Sequence, residues 1–146
     1  MRKITCIIVA ALALVCGLCG CSRDNGVSVG NVKTVSEGEE YFPLLNWIFS
    51  LNKDGLVIDG ERKQPQEVAN ELIAIPFGDD FQIVIDGKTT GEQFYTLFDE
   101  KFEEMYYHQY EFESPPEKCE YILCIEIMWG TERQYEGYQY FFKFRK

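Results

Sequence analysis

Positive charge is scarce in this chain of 146 residues. It has 14 lysines and arginines against 24 aspartates and glutamates, so its formal charge at pH 7 is −10. Because a nucleic-acid-binding protein needs cations to neutralise phosphates, this charge excludes the ordinary members of that class. It also argues against a polybasic contact with anionic lipid. Since 46% of the residues are hydrophobic and 15% are aromatic, the chain is not a disordered acidic tail, and its length predicts one globular domain.

Groups that carry enzyme chemistry are also scarce. His108 is the single histidine, and no serine lies in a nucleophile-elbow pattern. Four of the six cysteines lie within the first 21 residues, which leaves Cys119 and Cys124 for the remainder. Five residues of extended strand span about 16 Å, whereas bridged Cα atoms lie within roughly 7 Å, so two thiols are favoured over a disulfide. The sequence therefore predicts no catalytic residue, no metal site and no cofactor.

The N-terminus has the organisation of a secretory signal peptide. Arg2 and Lys3 form a positively charged segment, and residues 4–18 form an uncharged apolar segment. The apolar run is slightly shorter than the roughly 20 residues that a membrane-spanning helix needs. An exported protein is therefore predicted.

The apolar segment ends at Leu18-Cys19-Gly20-Cys21. This tetrapeptide resembles the lipobox of bacterial lipoproteins, in which Leu, a variable residue and a small residue precede Cys. The resemblance implies that Cys21 carries acyl chains such as palmitate and becomes the mature N-terminus, on the extracytoplasmic face of the cell membrane. Two or more acyl chains give stable attachment. A plain signal peptide and a short uncleaved anchor are the alternatives.

The chain is accordingly divided into three parts. Residues 1–20 are predicted to be the lipoprotein signal peptide, residues 21–36 a flexible tether, and residues 37–146 a single α+β domain. Residues 21–146 keep 12 cations and all 24 anions, so the predicted mature chain has a formal charge of −12.

Hydrophobic periodicity predicts an α+β domain in which two helices pack on one face of an antiparallel sheet. Apolar stripes at helical spacing predict helices at 65–75 and 90–105. Alternation predicts a strand at 81–86 and three C-terminal strands, near 106–112, 121–129 and 138–144, which would form a meander. Residues 43–58 fit a helix or a hairpin, and the Asn-Lys-Asp-Gly sequence at 52–55 favours the hairpin.

Acidic residues are concentrated between positions 99 and 120, where eight carboxylates and two lysines give a charge of −6. Carboxylates beside exposed tyrosines suit recognition of a basic protein, or of a cell-wall glycan that stacks on the rings. A solvated acidic surface that only resists aggregation is the alternative. The predicted interaction patch comprises Asp99, Glu100, Glu103, Glu104, Tyr106, Tyr107, Tyr110, Glu111 and Glu113.

These features predict a lipid-anchored bacterial envelope lipoprotein that acts as a non-catalytic binding module. Its expected contacts are the membrane, through the N-terminal lipid, and a basic protein or cell-wall glycan, but not nucleic acid. Two other functions stay open. One is an inhibitor or immunity module for a basic envelope enzyme, and the other is an envelope hydrolase that uses two facing carboxylates.

Overall fold

A computed structural model of the chain describes residues 27–109 and 111–146. These residues form ten β-strands and one four-residue helix, so the predicted α+β domain with two packed helices is wrong and the fold is nearly all β. The helix is α1 (Pro65–Val68). The strands are β1 (Asn31–Ser36), β2 (Glu39–Tyr41), β3 (Leu44–Leu51), β4 (Val57–Asp59), β5 (Ala74–Pro76), β6 (Gln82–Asp86), β7 (Phe94–Phe98), β8 (Glu104–Gln109), β9 (Glu120–Thr131) and β10 (Gln134–Arg145).

Seven strands form a large sheet in the order β4-β3-β10-β9-β7-β8, with β5 added beside β10. β9 and β10 have 12 residues each and pair along their whole length, from Gln134 opposite Thr131 to Arg145 opposite Glu120. On its other edge, β10 pairs antiparallel with β3 and, near its C-terminus, parallel with β5. These two long strands therefore form the centre of the sheet.

A second, antiparallel sheet has the order β2-β1-β6 and packs on one face of the large sheet. On β9, alternate residues from Tyr121 to Trp129 are buried between the sheets. They meet β10 residues such as Phe142, and β1 contributes Val32 from the opposite side. We call this side of the large sheet the core face.

The other side of the large sheet, which we call the open face, is only partly covered by the described residues. α1 covers one end of it, where Val68 is fully buried among Ile122, Cys124 and Phe141. Both faces of β9 are therefore apolar at this end, as is typical of a central strand.

The helix predicted at 90–105 is a strand and a turn. In β7, Tyr95 and Leu97 are buried on the core face, while Phe94 and Thr96 project from the open face. Phe94, Leu97 and Phe98 have the spacing of a helical stripe, whereas Tyr95 and Leu97 have the spacing of one strand face. The strand is formed because pairing with β9 and β8 satisfies its backbone on both edges, and aromatic and β-branched residues favour strands.

The helix predicted at 65–75 is reduced to α1. Pro65 begins it, and the carboxylate of Glu67 accepts a hydrogen bond from the backbone N–H of Gln64 at 2.5 Å. The chain leaves the helix after Val68 because residues 74–76 pair with β10 as β5. The pairing replaces helical hydrogen bonds and leaves Ile73 82% exposed.

Of the remaining fold predictions, some are confirmed and others are wrong. The hairpin at 43–58 is confirmed by β3 and β4, with Phe49 opposite Asp59, and the strand at 81–86 is confirmed by β6. The C-terminal meander is wrong, because β7 lies between β9 and β8. Residues 31–36, assigned from sequence to the tether, form β1, the central strand of the small sheet.

Both cysteines of the described residues are free thiols, with Cys119 partly buried and Cys124 buried. Among the residues that the structure describes, no helix has the length and apolar character needed to cross a membrane.

Candidate functional site

The turn between β7 and β8 holds the acidic residues that begin the predicted patch. Asp99, Glu100 and Glu103 lie in this turn, and Glu104 begins β8. The Asp99 carboxylate accepts hydrogen bonds from the backbone N–H groups of Lys101 and Glu103, both at 2.9 Å. Asp99 therefore shapes the turn, whereas Glu100, Glu103 and Glu104 are exposed and extend into solvent.

The two described tyrosines of the patch point to opposite faces of the large sheet. Tyr106 packs against the core face, and its hydroxyl donates a hydrogen bond to the carbonyl of Glu113 at 2.7 Å. Burial raises the pKa of Tyr106 well above its ordinary value. Tyr107, in contrast, is 54% exposed on the open face. Since Glu111 and Glu113 follow in a separate segment, the structure does not gather the predicted patch on one surface.

Two of the residues predicted from sequence lie outside the described part of the chain. They are Tyr110 of the interaction patch and Cys21, the predicted site of lipid attachment.

On the open face, Tyr107 stacks on Phe94 of β7. The ring centroids are 5.4 Å apart and the interplanar angle is 17°. Tyr107 is paired with Thr96, so Phe94 is its diagonal neighbour on the same face. The sequence prediction omits Phe94 because a helix at 90–105 would direct this side chain into the core. The alternation through Phe94 and Thr96 is the signal that could have indicated a two-sided strand instead.

Carboxylates lie near this ring pair. Loss of hydration is the largest cause of the raised pKa of Tyr107, and the charges of Glu126, Glu92 and Glu104 add to it. Arg62 acts in the opposite direction. Three anions and one cation leave the surroundings of the ring pair negative, which favours a positively charged ligand.

We refer to five of these residues as the aromatic–acidic site. They are Phe94, Tyr107, Glu92, Glu104 and Glu126, of which only Tyr107 and Glu104 belong to the patch predicted from sequence. Glu92 and Phe94 lie in the segment predicted to be a helix, and Glu126 lies in β9. Local sequence patterns therefore do not group these residues with Tyr107.

Hydrogen bonds hold the Glu126 side chain of this site in place. Glu126 accepts from Nε of Arg62 at 3.2 Å and from Nε2 of Gln139 at 3.3 Å. Gln139 is 4% exposed and accepts from the backbone N–H of Lys63 at 2.9 Å, so it ties the segment that carries Arg62 to β10. Burial raises the pKa of the neighbouring Cys124 thiol, which therefore stays protonated at neutral pH.

The cavity next to this ring pair is small. A cavity of ≈ 80 Å³ lies beside Phe94 and is lined by Arg62, Glu92, Glu126 and Met128, among others. Pockets that enclose small-molecule ligands usually measure about 300–1,000 Å³. The cavity has room for the end of one side chain, so the site suits a contact with a macromolecule better than enclosure of a free metabolite. In the described part of the chain, no group of three or more His, Cys, Asp and Glu side chains could hold a metal ion.

Comparisons with known proteins do not add a family to this description. We found no protein-family model, no curated protein and no solved structure that matches the chain.

Proposed function

We propose that the protein is a lipid-anchored bacterial lipoprotein on the extracytoplasmic face of the cell membrane, and that it binds a basic partner protein without catalysing a reaction. Acyl chains on Cys21 would hold it at the membrane. The aromatic–acidic site would contact a lysine or arginine side chain of the partner.

One observation carries the binding part of this proposal. The stacked pair of Phe94 and Tyr107 is half-exposed in a region where carboxylates outnumber cations. A cation over an aromatic face within about 6 Å of the ring centre is attracted by the ring quadrupole, and a nearby carboxylate adds a charge-assisted hydrogen bond. A lysine or arginine side chain satisfies both groups at once.

A basic protein fits the site better than a cell-wall glycan does. A glycan would use the exposed ring of Tyr107 but would leave the charges of Glu92 and Glu104 without a counterion. The ≈ 80 Å³ cavity is also too small to enclose a sugar ring together with its hydration. A cationic side chain needs only the ring and one carboxylate.

Binding to poly-L-lysine, measured by isothermal titration calorimetry with the purified protein, tests the proposed charge recognition. We expect binding that weakens strongly between low salt and roughly 0.5 M salt, because exposed charges are screened over a few ångströms at that ionic strength. The double variant Glu92→Gln/Glu104→Gln should lower the affinity by about fivefold.

The matched control is Glu39→Gln/Glu132→Gln, which changes the net charge by the same amount on exposed residues elsewhere. It should bind poly-lysine within about twofold of the unmodified protein. Equal losses in the two double variants would show that only net charge matters, and the aromatic–acidic site would then be excluded as the binding surface. Salt-insensitive binding to peptidoglycan fragments, without binding to poly-lysine, would replace the basic protein with a glycan.

The lipid anchor is tested separately by labelling bacteria with a palmitate analogue. The unmodified protein should be labelled and recovered with membranes, whereas Cys21→Ser should lose the label, because the thiol that would carry the acyl chains is absent. Labelling that persists in Cys21→Ser would refute the lipobox interpretation.

A further inference from the structure

β8 is the edge strand of the large sheet. In the described residues it pairs with β7 on one side only, and the sheet order ends at β8. An edge strand presents a row of backbone N–H and C=O groups to solvent, which another extended chain can pair with. This edge lies directly beside the aromatic–acidic site.

We propose that β8 is a docking edge, to which an extended segment of the basic partner adds as a further antiparallel or parallel strand, with a lysine or arginine beside Tyr107. The inference rests on the proposed function and specifies how the partner is held. Backbone hydrogen bonds supply affinity in this mode of recognition, and alternate side chains supply specificity.

The register of β8 directs the relevant side chains to one face. Tyr107 is paired with Thr96 and Glu104 with Phe98, and Thr96 and Phe98 both project from the open face of β7. A register shift at Met105 lets Glu104 and Tyr107, three residues apart, share this face. On the outer side of β8, a residue paired with Tyr107 would lie about 4.5–5.5 Å away between Cβ atoms. A lysine in that position reaches both the exposed Tyr107 ring and the Glu104 carboxylate.

The negative charge at this edge favours the addition of a basic strand. The β7–β8 turn and the first residue of β8 contain four carboxylates and one lysine, Lys101. A second copy of this chain would bring the same acidic residues against each other, and its formal charge is −10. Like charges in cross-strand contact are destabilising, whereas opposite charges contribute roughly 0.2–1 kcal/mol per pair. The edge therefore rejects its own copy and accepts a basic strand.

The partner segment should carry its cations at every second residue. Successive side chains of a strand point to opposite faces, so only alternate residues of the added strand share the open face with Tyr107. The residues between them lie on the core face, beside the half-buried Tyr106. A peptide of alternating lysine and threonine has this pattern and is the probe for the test.

Backbone methylation of this peptide separates strand addition from charge attraction. Two analogues are needed, with N-methyl groups on the lysines alone or on the threonines alone. In an added strand, alternate N–H groups point toward β8, so one analogue should lose at least about tenfold in affinity and the other should bind within about threefold of the parent. Equal binding of both analogues would overturn the proposal.

Substitutions at Tyr107 test its predicted contact. Tyr107→Phe keeps the ring and should bind the parent peptide within about twofold, whereas Tyr107→Ala should bind about threefold to fivefold more weakly. Circular dichroism of both variants checks the fold. If Tyr107→Ala binds as well as Tyr107→Phe, the lysine does not lie beside this ring and the proposed register is wrong.

Hydrogen exchange of the protein gives a readout at β8 itself. Binding of the parent peptide should slow exchange of backbone N–H groups in residues 104–107, and leave the edge strands β2 and β4 unchanged. Salt-sensitive peptide binding without protection of β8 would refute strand addition while the proposed function stands. Absence of binding to both poly-lysine and the peptide would refute the two together.

Discussion

Thr34 and Ser36 provide a test of the core on one strand. Both are fully buried on β1 and face the large sheet, yet their hydroxyl groups differ in hydrogen bonding. Ser36 donates to the carbonyl of Pro76 at 2.6 Å and accepts from the backbone N–H of Gly78 at 2.9 Å. The hydroxyl oxygen of Thr34 has no hydrogen-bond partner among the described residues. Loss of the hydroxyl group should therefore raise the free energy of unfolding at Thr34 and lower it at Ser36.

Thr34→Val should stabilise the protein. The change keeps the branched shape and removes a buried group whose lost hydration is not replaced, a penalty of about 1–3 kcal/mol. We expect the free energy of unfolding to rise by about 1–2 kcal/mol, because neighbouring side chains adjust only partly to the new methyl group. With a urea m-value of about 2 kcal/mol/M, the unfolding midpoint should rise by roughly 0.5–1 M.

Ser36→Ala should destabilise the protein by about 1–3 kcal/mol, because the carbonyl of Pro76 and the N–H of Gly78 both lose their partner. Urea unfolding followed by tryptophan fluorescence measures both variants under one set of conditions. Thr34→Ser is the control, since it keeps the hydroxyl and loses about one methyl group of packing. A lower midpoint for Thr34→Val than for the unmodified protein would refute the assignment of an unsatisfied hydroxyl.

Three further predictions concern the small sheet and its contacts. Gly30→Ala should lower the free energy of unfolding by about 1–3 kcal/mol, since the added Cβ would overlap the backbone carbonyl oxygen of Asp86 and the Trp129 ring, and calorimetry would detect it as a lower Tm. Glu37→Asn should raise the urea midpoint, because Glu37 has φ +53° beside Gly38 and asparagine tolerates this conformation better, by up to about 1 kcal/mol; an unchanged midpoint would contradict it. The backbone N–H groups of Glu37 and Gly38 lower the pKa of Asp80, so its contribution to stability is present above the unfolded-state pKa of about 3.9 and is lost as pH falls through the lower folded value. Asp80→Asn should therefore reduce the loss of stability between pH 5 and pH 2 in urea titrations, and an unaltered pH profile would exclude this role.

Alternation along the C-terminal strands was enough to predict β9 and β10. Tyr121, Leu123 and Ile125 occupy one face of β9, and Ile122 and Cys124 occupy the other, so the sequence itself indicates a strand covered on both sides. The run of buried residues from Tyr121 to Ile125 continues as alternation to Trp129, and its β-branched and aromatic residues favour a strand over a helix. Where a strand is long and paired on both edges, local pattern and tertiary structure agree.

Short strands carry too little pattern for the same inference. β7 has five residues, and Phe94, Leu97 and Phe98 fit a helical stripe, although in the strand Leu97 faces the core and Phe94 and Phe98 face the other side. What decides between the two is pairing with β9, which is distant in sequence and invisible to local periodicity. The candidate site shares this limitation, since Tyr107 belongs to the predicted patch but its stacking partner Phe94 follows only from the pairing.

The position of β7 between β9 and β8 determines the path of the chain after β8 and the surface that this path leaves exposed. The chain from β8 must cross β7 to reach β9, and it crosses on the core face, where Phe112 packs against Phe144 with ring centroids 5.9 Å apart. Because residues 111–119 of this connection use the core face, the described part of the chain leaves Tyr107 exposed on the open face. In the predicted meander, β8 would also have had one free edge, but it would have paired with β9 and Phe94 would not have been beside it. The inserted β7 thus places Phe94 next to Tyr107 on the open face, where the outer edge of β8 and the aromatic–acidic site can contact the same partner.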